Sequence, residues 1–204
     1  MKKIRLNLGC AGRVLKDYIN IDQDSIRDMK KRYPGIKIPK NQKIFNYNIF
    51  KLPFKNGTVD EIRADGLIEH LNFKEEKRFF LELKRVVKKR GLIRLSTVDF
   101  EKTIKQWLSA KDDWKDFHRD DNEAIKKQFW FGTYTYKPNN RWGYLTATFY
   151  GSQNGKGQYH KNCYSKKKLS AICKKLDFKV IELKNFRWKK NRDHMINLIA
   201  KKNN

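Results

Sequence analysis

The chain has 204 residues, of which 39% are hydrophobic and 13% aromatic, which excludes a disordered segment and fits one domain of the usual size of roughly 100 to 200 residues. Lys and Arg number 48 against 22 Asp and Glu, and the formal net charge of +26 favours acidic partners: nucleic acid, an anionic lipid surface or an anionic sugar. Lys is spread along the whole chain beside abundant Asn and Ile, so a general compositional bias accounts for the charge equally well.

Ile4 to Leu8 reads as a short strand running into Gly9-Cys10-Ala11-Gly12, a strand and glycine-rich turn of the kind that opens a nucleotide-binding α/β unit. Tyr18 to Ile21 reads as a second strand that ends at Asp22. Ser25 to Tyr33 follows as a helix stopped by Pro34-Gly35, and Ile44 to Tyr47 as a third strand. After the turn at Leu52 to Gly57, Val59 to Ala64 suits a central strand ending near Asp65.

Asn72 starts the next helix, with Glu75 three residues on to complete a capping box. Phe79, Phe80, Leu83, Val86 and Val87 form its buried stripe, and Gly91 is placed to end it in the left-handed region. Leu92 to Val98 is the fifth strand. From Phe100 to Tyr159 aromatic residues, among them Trp107, Trp114, Trp130 and Trp142, crowd a polar stretch. We read 100–159 as a lid or acceptor-binding insert in a single domain spanning 1–204. Most of its aromatics are expected to pack as a satellite core, a minority to line an acceptor pocket.

Ser165 caps a helix carrying Leu169, Ile172, Cys173 and Leu176 on one face. Val180 to Leu183 and Met195 to Ala200 are the last strands, around a basic, aromatic hairpin from Lys184 to Arg192 that contains Phe186, Arg187 and Trp188. Seven strands alternating with helices give an α/β fold: a Rossmann-like, mostly parallel sheet with helices on both faces.

The three cysteines, Cys10, Cys163 and Cys173, lack any CxxC spacing, which suits a reducing compartment. Asn7 interrupts the N-terminus before a leader peptide could form, and no window approaches the ~18 to 20 apolar residues of a membrane span, so a cytoplasmic protein is expected.

In open α/β sheets ligands bind beyond the carboxyl ends of the strands, so Gly9 to Gly12, Asp22, Asn48 and Asp65 should meet at one crevice. Glycines admit a close ligand, and an acid after the second strand can accept both hydroxyls of a ribose. A dinucleotide is disfavoured. The GxGxxG pattern is incomplete, and Gly9 to Asp22 falls short of the roughly 20-residue spacing of that fingerprint.

The stretch Leu6-Asn7-Leu8-Gly9-Cys10-Ala11-Gly12 with Tyr18-Ile19-Asn20-Ile21-Asp22 resembles the class I S-adenosylmethionine-dependent methyltransferases, in their compact type-11-like branch. Leu52-Pro53-Phe54, Thr58 to Ile62, Leu67 to Leu71, Leu83 to Gly91, and Tyr150-Gly151-Ser152-Gln153 with His160-Lys161 extend the likeness. It implies S-adenosylmethionine as cofactor, with Gly9, and with it Cys10, Ala11 and Gly12 of the turn, at its methionine portion. Asp22 would meet its ribose, Asn48 and Ile49 its adenine, and Asp65 the region beside the sulfonium. Ala11 stands where the family usually has a second glycine, and Asn48 where an Asp is common.

The branch suggests a small-molecule or glycan acceptor, methylated at oxygen. His160, on a flexible glycine-rich loop, and His70, beyond the fourth strand, are the candidate bases, although His70 has an equally ordinary role as a packing residue. A nucleic-acid acceptor is the alternative suggested by the charge, but the sequence after the fourth strand carries neither a Pro-Pro-(Tyr/Phe) motif nor a Pro-Cys nucleophile. A non-catalytic binding module with a decayed cofactor site is the third reading. No metal is expected, because His160 and Cys163 have no second pair to complete a tetrahedral set.

Overall fold

The protein is described by a computed structural model covering residues 3–32, 35–39, 41–109, 141–151, 153, 157–187 and 194–204. Its strands are β1 (Arg5–Leu8), β2 (Ile19–Ile21), β3 (Ile44–Phe45), β4 (Val59–Asp65), β5 (Val87–Val98), β6 (Phe178–Phe186) and β7 (Met195–Lys202). The helices described are α1 (Ile26–Arg32), α2 (Phe73–Val86), α3 (Phe100–Ser109), α4 (Arg141–Tyr150) and α5 (Lys166–Lys175), with a single 3₁₀ turn at Ile68–His70. Within the expected insert, residues 110–140 lie outside the described part, as do Trp188 and the rest of 188–193 in the expected basic hairpin.

The strands form one seven-stranded sheet in the order β3-β2-β1-β4-β5-β7-β6. β1 to β5 run parallel to one another, and β7 runs antiparallel to both β5 and β6. The α/β class and mostly parallel sheet expected from the alternating pattern are therefore present. From β1 the chain steps outward through β2 to β3, then returns to the other side of β1 as β4. That reversal opens a crevice at the carboxyl ends of β1 and β4, the switch point of such sheets.

Apolar burial holds the frame. Leu6, Leu8, Ile62, Leu95 and Leu198 of the strands are at most 1% exposed and share one cluster with Phe79, Leu83 and Val86 of α2 and Leu169 and Cys173 of α5. Fully burying each such side chain is worth roughly 1.5 to 3 kcal/mol. The capping box of α2 forms as its sequence requires: Asn72 Oδ1 accepts from the Lys74 and Glu75 amides, and Glu75 Oε2 accepts from the Asn72 amide at 2.8 Å.

The end of α2 differs from the expected stop at Gly91. The helix finishes at Val86, Val87 is already extended at φ −67°, ψ 128°, and β5 begins there without a loop. Two adjacent β-branched residues, both fully buried, favour the pleated backbone at this junction. The left-handed residue is Arg90, at φ 63°. Gly91 serves close packing instead: a Cβ there would stand 2.8 Å from Val87 Cγ1 and 3.1 Å from the Asp60 carbonyl oxygen.

Candidate active site

The register aligns the strand ends that matter: Leu8 lies beside Ile21 on one side and Ala64 on the other, so Gly9, Asp22 and Asp65 leave the sheet at one level. Gly9 takes φ +61°, and a Cβ on it would come 2.9 Å from Leu67 Cδ1, which confines the position to glycine. Ala11 also adopts a positive φ, 41°, and completes the turn without a second glycine. Two buried amides hold this loop from beneath. Asn7 Nδ2 donates to Asn20 Oδ1 and to the Arg13 carbonyl, each at 2.8 Å, and Asn20 Oδ1 accepts from the Leu15 amide at 2.9 Å.

Asp22 is buried, and each of its oxygens accepts one backbone amide: Oδ2 from Ala11 at 2.7 Å and Oδ1 from Asp24 at 2.9 Å. A carboxylate oxygen has two lone-pair directions, so both oxygens keep capacity for a ligand hydroxyl. Gly9, Ala11, Asp22, Asn48, Ile49 and His70 all line one cleft of about 560 Å³ beyond the strand ends. That volume lies within the ordinary range of ligand sites. Cys10, its thiol pushed up to about 12 by burial and then by the nearby Asp22 carboxylate, is buried beneath the loop. Gly12 packs against Ile36, 2.2 Å from where its Cβ would be.

Asp65 is not among the residues that line this cleft. It is bound by Arg63 Nε at 2.6 Å, Ser96 Oγ at 2.8 Å and Arg13 at 3.3 Å, and lines a small neighbouring cavity of about 20 Å³. Tyr47, Phe50, Glu75, Gln158 and Lys161 line the large cleft, although the sequence did not mark them as site residues. Tyr47 could have been found as the aromatic continuation of the third strand, stacked on Phe45 at 5.2 Å.

At the far end of the cleft the two histidines meet. Residues 157–164 fold back over the 3₁₀ turn, where the Glu69 carbonyl accepts from the Lys161 and Asn162 amides at 2.7 and 3.1 Å and Gly151 bridges to Tyr159. This places the His70 and His160 rings edge to face, with centroids 4.8 Å apart. His70 Nδ1 lies 2.9 Å from the Tyr159 carbonyl and His160 Nδ1 2.8 Å from the Thr148 carbonyl. A carbonyl can only accept, so each Nδ1 carries a proton, and in the neutral ring the lone pair is then on Nε2. Burial, helped by the neighbouring His70, holds the His160 imidazole below its ordinary value against the opposing pull of Glu69.

Residues 7–95 match the family described as "Methyltransferase domain". That match supports a class I S-adenosylmethionine-dependent methyltransferase. A search of curated proteins found no matching sequence. Among solved structures, the methyltransferase is similar to an S-adenosylmethionine-dependent methyltransferase of Methanosarcina mazei (16% identity, 100% of this chain and 94% of that one, TM-score 0.55). It is also similar to the 1,6-didemethyltoxoflavin-N1-methyltransferase of Burkholderia thailandensis with bound 1,6-didemethyltoxoflavin and S-adenosylhomocysteine (10%, 98% and 71%, 0.57). A third is an S-adenosylmethionine-dependent methyltransferase of Clostridium acetobutylicum (14%, 100% and 85%, 0.53). At these identities the likeness is one of fold.

The methyltransferase is an enzyme whose cofactor is S-adenosylmethionine. The cleft's chemistry suits that group: a buried acceptor carboxylate for vicinal hydroxyls, a glycine where a ligand must come close, and Tyr47, Ile49 and Phe50 as apolar surface. Among the described residues no helix is long and apolar enough to cross a membrane.

Proposed function

We propose that this enzyme methylates an oxygen of a small-molecule or glycan acceptor, with the cofactor lying along Gly9, Ala11, Asp22, Asn48 and Ile49 and the acceptor entering at the His70 and His160 end. The observation that carries the reading is His70, which lines the cleft and packs edge to face on His160, both imidazoles being held at Nδ1 by backbone carbonyls. When bound, S-adenosylmethionine supplies an electrophilic methyl group on a sulfonium.

The protein's own work is then alignment and proton handling. Asp22 accepts the ribose hydroxyls, which fixes the cofactor along its length. Gly9 allows the backbone to approach it, and the segment 157–161 covers the cleft so that the two reactants are held in line away from water. An imidazole Nε2 at the acceptor end takes the hydroxyl proton as the oxygen becomes nucleophilic, a contribution of roughly 10²- to 10⁴-fold. Asp65, tied to Arg63 and Arg13, acts on the turn at Gly9 by holding Arg13. The small-molecule acceptor bound to the Burkholderia neighbour supports a compact acceptor for this fold.

A screen of hydroxyl-bearing sugars and small molecules with labelled cofactor tests the proposal. Label in an acid-stable, alkali-stable methyl ether is expected, and transfer only to amine acceptors would sink the assignment to oxygen. The net charge of +26 favours a nucleic-acid acceptor as a second reading. In that case binding of a labelled RNA or DNA must weaken steeply with salt, and methyl label must enter the polymer.

A further inference from the structure

Glu69 does not line the large cleft, yet its carboxyl is 4% exposed and stands beside both histidines. One ligand-capable atom from each of Glu69, His70 and His160 falls within 4.8 Å of the others. Buried carboxylates are almost always paired, but the hydrogen bonds shown for this one come from a neutral hydroxyl, Thr97 Oγ1 donating to Oε2 at 3.0 Å. The three residues come from two distant parts of the chain, and a purpose-built clamp holds them together: the Glu69 main-chain oxygen receives the two amides that follow His160.

We propose that Glu69, His70 and His160 form a binding site for a divalent transition-metal ion of the zinc type. Two neutral imidazoles and one carboxylate are the donor set of a catalytic site that leaves positions open for another oxygen. Each imidazole donates Nδ1–H to a backbone carbonyl, the outer contact that orients ligating histidines and fixes the tautomer with Nε2 free. Metal to nitrogen or oxygen distances of about 2.0 to 2.2 Å need ligand atoms roughly 3 to 4 Å apart, so a small closing movement of the side chains completes the site. His70 lines the large cleft, whereas Glu69 and His160 line a cavity of about 10 Å³ next to it, roughly one water, so the ion's open positions face the acceptor. The ion's role toward an acceptor oxygen rests on the proposed function, in which it would polarise the hydroxyl and send the proton to solvent in place of the imidazole. Ion binding itself does not depend on that reading.

The test is titration of the chelator-treated full chain with Co²⁺, read by visible absorption and competed with Zn²⁺, in the presence and absence of S-adenosylmethionine. Expected is saturable binding of one ion with ligand-field bands, weakened at least about tenfold in His70→Ala and in Glu69→Gln and unchanged in Cys163→Ser, which removes the exposed thiol nearby. Thermal melting and cofactor binding show that each variant is folded. A cobalt spectrum identical in the wild type, His70→Ala, His160→Ala and Glu69→Gln overturns the proposal, as does binding lost only in Cys163→Ser. Ion binding without methylation of any hydroxyl acceptor would uphold the metal site and defeat the oxygen reading. Chelator-resistant oxygen methylation with no cobalt binding would do the reverse.

Discussion

On the side of the cleft assigned to the cofactor, each chemical group stands at or just beyond the end of a strand: Gly9 after β1, Asp22 after β2, Asn48 three positions after β3. On the opposite side, His70 and His160 are joined only by the fold-back of residues 157–164 over the 3₁₀ turn. The first arrangement is inherited from the sheet and its register. The second is made by a few hydrogen bonds between segments remote in sequence, so it can be disturbed while the sheet and cofactor grip remain. Variants on the two sides should therefore separate binding from turnover.

The largest effect is expected from Asp22→Ala. Hydrogen bonds to a charged group are worth about 1.5 to 3 kcal/mol each, so loss of the ribose contacts should weaken S-adenosylmethionine about 100-fold in calorimetry. The Ala11 and Asp24 amides lose their acceptor as well. Asp22→Asn, which keeps the shape, separates the two contributions: if it binds as tightly as wild type, the carboxylate charge is not what holds the cofactor.

Next in size is a stability effect beneath the cofactor side. Arg85 reaches Glu82 through two hydrogen bonds, at 2.8 and 2.6 Å, and also meets the Leu52 and Phe54 carbonyls, tying the 52–56 turn to α2. Its guanidinium, and after it the Leu52 amide, hold the buried Glu82 carboxyl below its ordinary value against the opposing effect of burial. A group with a depressed folded value stabilises the protein above its unfolded value and loses that contribution as pH falls through the folded one. Denaturant unfolding should thus show stability falling as pH drops below the ordinary glutamate value of 4.5. Arg85→Ala should lower stability at pH 7 by about 2 kcal/mol and flatten the acid limb. An unchanged limb would mean that other carboxylates set it.

A smaller, more selective effect should come from Gly151→Ala on the other side. Gly151 has φ +77°, and a Cβ there would sit 2.1 Å from the Gln158 carbonyl oxygen and 3.1 Å from the His160 amide nitrogen. The bridge to Tyr159 must open, carrying His160 away from His70. Turnover of any acceptor should drop about tenfold, with cofactor affinity kept within about twofold, a loss that corresponds to roughly 1.4 kcal/mol. Equal losses in both would show that the two sides are not separable.

The same division decides what could be read from residues alone. The carboxyl ends of β1, β2, β4 and β5, the Asn72–Glu75 box and the glycine-rich turn are set by neighbours a few positions apart, and they have the expected form, whereas β3 is shorter and β6 and β7 longer than the alternation suggested. The end of α2 was misplaced because Gly91 looks like a left-handed stop when viewed alone, whereas it is required by close packing on Val87, Lys88 and, on β4, Asp60. Glu69 and His70 are adjacent and His160 is far along the chain, so no local spacing announces the trio. Pairing His160 with Cys163 was the only metal geometry visible in one stretch. Asp65 carried the expected position at the end of β4, but its contacts with Arg13 and Ser96 join segments remote in sequence and are not announced by any local spacing.

The smallest effect should come from Ala11→Gly, which restores a second glycine to the turn. At φ 41° an alanine carries a left-handed penalty of about 1 kcal/mol, which glycine removes. Glycine also widens the unfolded ensemble, at a cost of about 0.4 to 1 kcal/mol. The two terms nearly cancel, so stability should move by less than about 0.5 kcal/mol and cofactor affinity by less than about threefold. The Ala11 amide donates to Asp22 in either variant, since that contact is made by the backbone. A gain in affinity of tenfold or more would show that the Ala11 methyl group obstructs the cofactor, and the turn would then be the weak point of the side that otherwise looks most complete.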